Sequence, residues 1–231
     1  MAGSIDMIRY FLSVCLLVGF GLAGCGQTPQ PKPPKLERFI MPEDETIKIV
    51  ILGDSLTAGY GLHKEQALPN VVERRLKADG FDVEVYNSGI SGDTTGGGYL
   101  RYDSSVAVHR PHMLIIALAT NDFLSGVPVE KARENLAAII TRARTDSVFV
   151  VLVGIEPDFS GVPDKVQRDY STMLTELARE KNISFHPGFM KDVWDDPDML
   201  LLDGLHPNAD GVDRMAENLV ETLKLLIKLP E

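Results

Sequence analysis

Apolar residues gather in short, nearly uninterrupted runs: Ile47–Leu52 (IKIVIL), Met113–Ala119 (MLIIALA) and Val148–Val153 (VFVVLV), with a shorter one at Val83–Tyr86. A strand with one wet face alternates apolar and polar residues, whereas a strand covered on both faces does not. Such runs are what parallel sheets require. Between them the apolar residues recur at helical spacing. Leu68, Val71, Val72 and Leu76 precede Asp79-Gly80, and Leu136, Ile139, Ile140 and Ala143 follow Pro128. Val166–Lys181 reads as a helix and Ile183–Phe185 as a short fifth strand. Val212, Ala216, Leu219, Val220, Leu223 and Ile227 mark a long last helix. Strands separated by helices imply right-handed crossovers and a three-layer α/β/α sandwich on a five-stranded parallel sheet. Ligands of open sheets sit beyond the carboxyl ends of the strands, so the chemistry is expected just after each run.

Composition narrows the partners. The 231 residues carry 23 Lys+Arg against 33 Asp+Glu, a formal net charge of -10. That balance argues against nucleic acid, whose phosphates call for a surplus of cations, and against electrostatic adhesion to anionic lipid. Two cysteines exclude a disulfide scaffold.

The first residues read as a targeting segment rather than as fold. Phe11–Ala23 (FLSVCLLVGFGLA) is apolar or small but too short to span a bilayer, which takes about 20 residues. It ends in Leu22-Ala23-Gly24-Cys25, which resembles the bacterial lipobox. The resemblance implies cleavage before Cys25 and a lipid on that cysteine; a cleaved secretory signal is the alternative. Residues 1–24 are thus expected to be a signal peptide. Residues 25–46 follow as a lipidated, Pro-rich tether with four prolines between Pro29 and Pro34. Residues 47–231 form the globular domain. The expected location is the bacterial cell envelope, with the membrane reached through the lipid on Cys25.

Four polar clusters follow the strand runs. Gly53-Asp54-Ser55-Leu56 puts a serine at a strand-to-helix corner, where its backbone N–H faces a position for a developing anion. Ser88-Gly89-Ile90-Ser91-Gly92-Asp93-Thr94 offers glycine N–H groups, and Ala119-Thr120-Asn121-Asp122 offers a side-chain amide. Asp203-Gly204-Leu205-His206-Pro207-Asn208 places a carboxylate three residues before a histidine. A nucleophile, a base, a carboxylate to orient it and three donors make up an acyl-transfer set.

These blocks resemble the SGNH (GDSL-type) hydrolases. Ser55, Gly92, Asn121 and His206 stand at the four signature positions, and Asp203 stands as the triad acid. GDSLTAGYGL, NSGISGDTT and NDFLSGVP look most like the thioesterase I, lysophospholipase and arylesterase branch. The resemblance spans about Ile47 to Leu226. It implies a flavodoxin-like sheet and a serine hydrolase of acyl esters or thioesters that needs no cofactor or metal. The catalytic set would be Ser55, Asp203 and His206, and the oxyanion donors Ser55, Gly92 and Asn121. Phe123, Leu124 and Val127 are expected to line an acyl channel, the substrate being a small acyl ester or lysophospholipid and the chain a monomer. A carbohydrate O-acetyl esterase and a non-catalytic envelope binding lipoprotein are the alternatives. The sequence departs from the family at Ala119, where glycine is usual.

Other polar residues read as structural. Asp54 and Asp122 are expected to cap loop N–H groups, Asp93 to sit in a turn and Asn208 to cap the last helix. His63 is read as exposed and His186 as structural. His109 and His112 are assigned to the far end of the sheet. Trp194 and Phe189 belong either to the site wall or to the core. A metal held by Asp203, His206 and Asp54 lacks supporting spacing, and no GxGxxG motif supports a dinucleotide.

Overall fold

The computed structural model describes residues 39–40, 45–155 and 162–228. Among the described residues seven strands are formed: β1 (Phe39–Ile40), β2 (Ile47–Gly53), β3 (Val83–Gly89), β4 (Met113–Ala117), β5 (Phe149–Val153), β6 (Ser184–His186) and β7 (Ile227–Lys228). The helices are α1 (Ser55–Ala58), α2 (Leu68–Ala78), α3 (Thr95–Leu100), α4 (Tyr102–Ser105), α5 (Thr120–Leu124), α6 (Val129–Thr145), α7 (Asp164–Lys181) and α8 (Ala209–Leu226).

Five strands make one sheet in the order β3-β2-β4-β5-β6, all parallel as expected from the uninterrupted apolar runs. Because a strand's side chains alternate between faces, each run feeds two cores. Ile47, Ile49 and Ile51 point with Met113 and Ile115 to one side, where Val72 and Leu76 of α2 meet Leu219 and Leu223 of α8. Val50, Leu52, Leu114 and Ile116 point to the other, against Leu136 and Ile140 of α6 and Leu174 and Leu177 of α7. All of these are fully buried.

Several boundaries moved: β4 ends at Ala117 rather than Ala119, β6 runs Ser184–His186 rather than Ile183–Phe185, and the last helix ends at Leu226, Ile227 belonging to β7. β3 continues past Tyr86 through Asn87-Ser88-Gly89, because those residues pair in register with Ile51, Leu52 and Gly53 of β2. The polar side chains are accommodated locally: the Ser88 hydroxyl donates to the carbonyl of Ser105 at 2.6 Å. A tether reaching to residue 46 was expected, yet Phe39–Ile40 pairs in parallel with Ile227–Lys228. Phe39 also packs on Phe149, their ring centroids 5.7 Å apart. Among the described residues, packing against the domain is thus already present at Phe39, where an aromatic side chain finds apolar partners. The signal segment, Cys25 and the proline-rich stretch lie outside the described residues.

Glycine lets the end of α1 lie against the end of β3: a methyl group on Gly89 would stand 2.3 Å from the backbone nitrogen of Ala58, so no other residue permits that approach.

Candidate active site

Ser55 is the first residue of α1, immediately after β2. Asp54 before it caps the helix, its side chain accepting from the N–H of Leu56 at 3.0 Å. Ser55 is half-buried, and its Oγ lies 3.0 Å from His206 Nε2. On the other side of the imidazole, Nδ1 is 2.8 Å from Asp203 Oδ2. A carboxylate accepts the Nδ1 proton, which leaves the Nε2 lone pair facing the serine hydroxyl. Asp203 Oδ1 accepts the backbone N–H groups of His206 and Leu205 at 3.0 and 2.9 Å. Those two bonds, with the imidazole, draw the Asp203 carboxyl down to about 2. The Tyr60 ring packs against the imidazole, centroids 4.4 Å apart.

Asn121 lies in α5, where its Nδ2 donates to the carbonyl of Asp93 at 2.8 Å and reaches Asp54 Oδ2 at 3.4 Å. Gly92 precedes Asp93 in a turn closed by the Asp93 N–H to Ile90 carbonyl bond of 3.0 Å. Its φ of +81° is open to glycine and strained for other residues. Asp54 is 2% exposed. Burial pushes its carboxyl up to about 7, and the neighbouring carboxylates of Asp93 and Asp122 add to the rise. Asp122 is also buried and raised by burial. It accepts from both the N–H and the hydroxyl of Thr95, at 2.7 and 2.6 Å, and so ties α5 to the start of α3.

A cavity of about 260 Å³ opens beside the serine, touched at its polar end by Ser55, Gly92, Asn121 and His206. Its apolar wall is Tyr60, Leu124, Met190, Trp194 and Leu205. Of Phe123, Leu124 and Val127, the three residues expected to line an acyl channel, only Leu124 touches this cavity. Phe123 is buried in the core against the ring of Tyr170, centroids 5.7 Å apart. Successive residues of a helix point about 100° apart, so α5 sends Leu124 and Phe123 in different directions. Val127 lies beyond α5 and off the cavity; its carbonyl accepts the Tyr170 hydroxyl at 2.7 Å. Met190 had no signal in the sequence. Trp194 proves to serve both readings, touching the cavity while packing against the core.

The structural readings of the remaining residues resolve individually. Asn208 caps α8 by accepting from the N–H groups of Asp210 and Gly211. Phe189 is core. His63 is exposed, His109 stacks on Tyr86, and His112 Nδ1 accepts the N–H of Lys48 at 3.0 Å. Ala119, buried in the core, has φ +113°, so the usual glycine there reflects backbone conformation rather than pocket shape. Among the described residues no helix is long and apolar enough to cross a membrane.

The chain resembles characterised hydrolases along most of its length. It is 31% identical to the esterase TesA of Pseudomonas aeruginosa over 179 residues, 78% of this chain and 89% of that protein. It is 28% identical to the thioesterase 1/protease 1/lysophospholipase L1 of Escherichia coli K12 over 183 residues, 78% of this chain and 84% of that protein. A crystal structure of TesA superposes with a TM-score of 0.72 at 31% identity, covering 78% of this chain and 99% of that one. Residues 51–214 match the GDSL-like lipase/acylhydrolase family, a span holding all four polar clusters in order, and the chain belongs to that family of hydrolytic enzymes.

Proposed function

We propose that this hydrolase cleaves acyl esters or thioesters, lysophospholipids among them, through Ser55, His206 and Asp203. The observation that carries the reading is the continuous relay from Asp203 Oδ2 through the imidazole to Ser55 Oγ, with steps of 2.8 and 3.0 Å. Ser55 Oγ attacks the acyl carbonyl while His206 Nε2 takes its proton and then delivers it to the leaving oxygen or sulfur. Water attacks the acyl-serine by the same route, releasing the acid. Asp203 holds the imidazole in the tautomer that presents a bare Nε2. The tetrahedral oxyanion is met by the N–H groups of Ser55 and Gly92 and by Asn121 Nδ2.

The apolar wall of Tyr60, Leu124, Met190, Trp194 and Leu205 favours an acyl chain over a sugar-borne acetate, which would call for polar contacts. At 28% identity the Escherichia coli thioesterase 1/lysophospholipase L1 supports the same substrate classes. The Leu22-Ala23-Gly24-Cys25 motif adds a lipid anchor on Cys25, so that a signal peptide of residues 1–24 is removed and the enzyme works, as a monomer, on the membrane of the cell envelope.

The test is hydrolysis of p-nitrophenyl esters from acetyl to palmitoyl by the protein and by Ser55→Ala. Activity at medium or long chains that falls at least about 10³-fold in the variant is expected. Activity confined to acetyl transfers the assignment to a deacetylase, and activity independent of Ser55 overturns the nucleophile.

A further inference from the structure

One guanidinium joins two of the three segments that carry the proposed oxyanion donors, and the third is tied to it through Asp93. Arg101 sits between α3 and α4, with its side chain 13% exposed. Its Nη2 donates to the carbonyl of Gly53 at 3.0 Å, its Nη1 to the carbonyl of Ser88 at 2.8 Å, and its Nε to Asp93 Oδ2 at 2.7 Å. Gly53 ends β2 two residues before Ser55, and Ser88 lies near the end of β3 before the Gly92 turn. Asp93 follows Gly92 directly, and its carbonyl is the acceptor that holds Asn121 Nδ2 at 2.8 Å. The Gly53 carbonyl also accepts the N–H of Ile90 at 3.1 Å, which binds the same turn to β2.

We infer that Arg101 is the positioning residue that fixes the Ser55, Gly92 and Asn121 donors at one mutual spacing. This rests on the oxyanion reading above. Three donors serve one oxygen only if their separations are held to a fraction of an ångström, and a 1 Å misplacement can cost about 10²-fold in rate. Ser55 rides on β2, Gly92 on the β3 turn and Asn121 on α5. The ladder of β2 with β3 ends at Gly53 and Gly89, and only the Ile90 N–H to Gly53 carbonyl bond extends it before either donor is reached. Beyond that point the guanidinium spans the gap. Its planar fork satisfies two strand-end carbonyls and one carboxylate together, which the single ammonium of a lysine cannot match in geometry. The pair is nearly enclosed, Arg101 and Asp93 side chains being 13% and 11% exposed, so its geometry is little loosened by water.

The role is tested with Arg101→Lys, Arg101→Ala and Asn121→Ala, measuring kcat and KM on p-nitrophenyl butyrate together with Tm. Arg101→Lys is expected to lower kcat about 10-fold or more and Arg101→Ala about 10²-fold, with KM changed by less than about 3-fold. Adding guanidinium ion at millimolar concentration restores part of the Arg101→Ala kcat, where equal sodium chloride restores none. A merely structural arginine would lower Tm without that recovery. Should Arg101→Ala fail to fold, Arg101→Lys decides: kcat within 2-fold of the parent overturns the role. A folded Arg101→Ala that guanidinium does not revive overturns it too. If Asn121→Ala is impaired in kcat while Arg101→Lys is intact, only the positioning role falls. If Asn121→Ala leaves kcat unchanged, the oxyanion reading itself falls and takes this role with it.

Discussion

Asp203 grips His206 with both carboxylate oxygens: Oδ2 stands 2.8 Å from the ring Nδ1, and Oδ1 accepts the backbone N–H of the same residue at 3.0 Å. The two oxygens are therefore not interchangeable. In Asp203→Asn the single amide oxygen is claimed by the Leu205 and His206 N–H groups, which have no other acceptor at that place in the loop. The amide NH₂ then faces Nδ1 and forces the imidazole into the tautomer with a protonated Nε2, useless as a base toward Ser55. The isosteric Asn variant should thus lose about 10³–10⁴-fold in kcat, at least as much as Asp203→Ala, where water can replace the carboxylate. Steady-state kinetics of both variants on one ester checks this; an Asn variant clearly more active than the Ala variant contradicts it. Since the carboxyl is held down to about 2, its protonation does not shape activity above about pH 4.

Ala119 carries the second prediction. Its φ of +113° with ψ of −15° is a conformation that L-residues avoid, and its methyl group is buried in the core rather than exposed to the cavity. Such strain costs on the order of 1–3 kcal/mol, while glycine gives back about 0.4–1 kcal/mol through a freer unfolded chain. Ala119→Gly is expected to raise stability by about 1 kcal/mol, a Tm gain of about 2–4 °C for a domain of this size, with kcat unchanged. Calorimetric unfolding measures it, and a lowered Tm would show that the methyl's packing outweighs the strain.

The same residue shows what sequence can and cannot convey. The parallel sheet was legible because burial on both faces is written into each strand run, as in Ile47–Leu52. The clusters around Ser55, Gly92 and Asn121 were legible because each follows its strand closely, and that around His206, well past the end of β6, through a carboxylate three residues before a histidine. What escaped depends on contacts distant along the chain. Arg101 looks like any surface cation until its guanidinium is seen to reach Gly53, 48 residues away. Met190 enters the cavity from the segment after β6, which carries no local mark of a site, beside Trp194, which the sequence left open between site wall and core. Phe123 and Leu124 differ only in helical phase, and a helix beginning at Thr120 decides which of them faces the cavity.

His186, at the end of β6, makes stability depend on pH. It is 4% exposed; its Nδ1 lies 2.8 Å from Thr222 Oγ1, whose own hydroxyl donates to the carbonyl of Asn218. Nε2 is buried with no hydrogen-bond partner among the described residues. Burial, abetted by Lys191 and only partly opposed by the backbone of Gly188, lowers this histidine from 6.5 to about 4. The unfolded chain then binds a proton at a pH where the native state does not. The contribution is whole above pH 6.5 and is lost as pH falls from 6.5 through about 4. Its size is on the order of 3 kcal/mol, taking 1.36 kcal/mol for each pH unit of difference. Asn at this position retains a hydrogen-bonding group for Thr222 but cannot titrate. Urea unfolding of the protein and of His186→Asn at pH 7 and pH 4.5 is expected to show the parent losing more stability than the variant on acidification. Equal losses in the two would mean that other groups carry the acid sensitivity and that His186 is already charged in the native state.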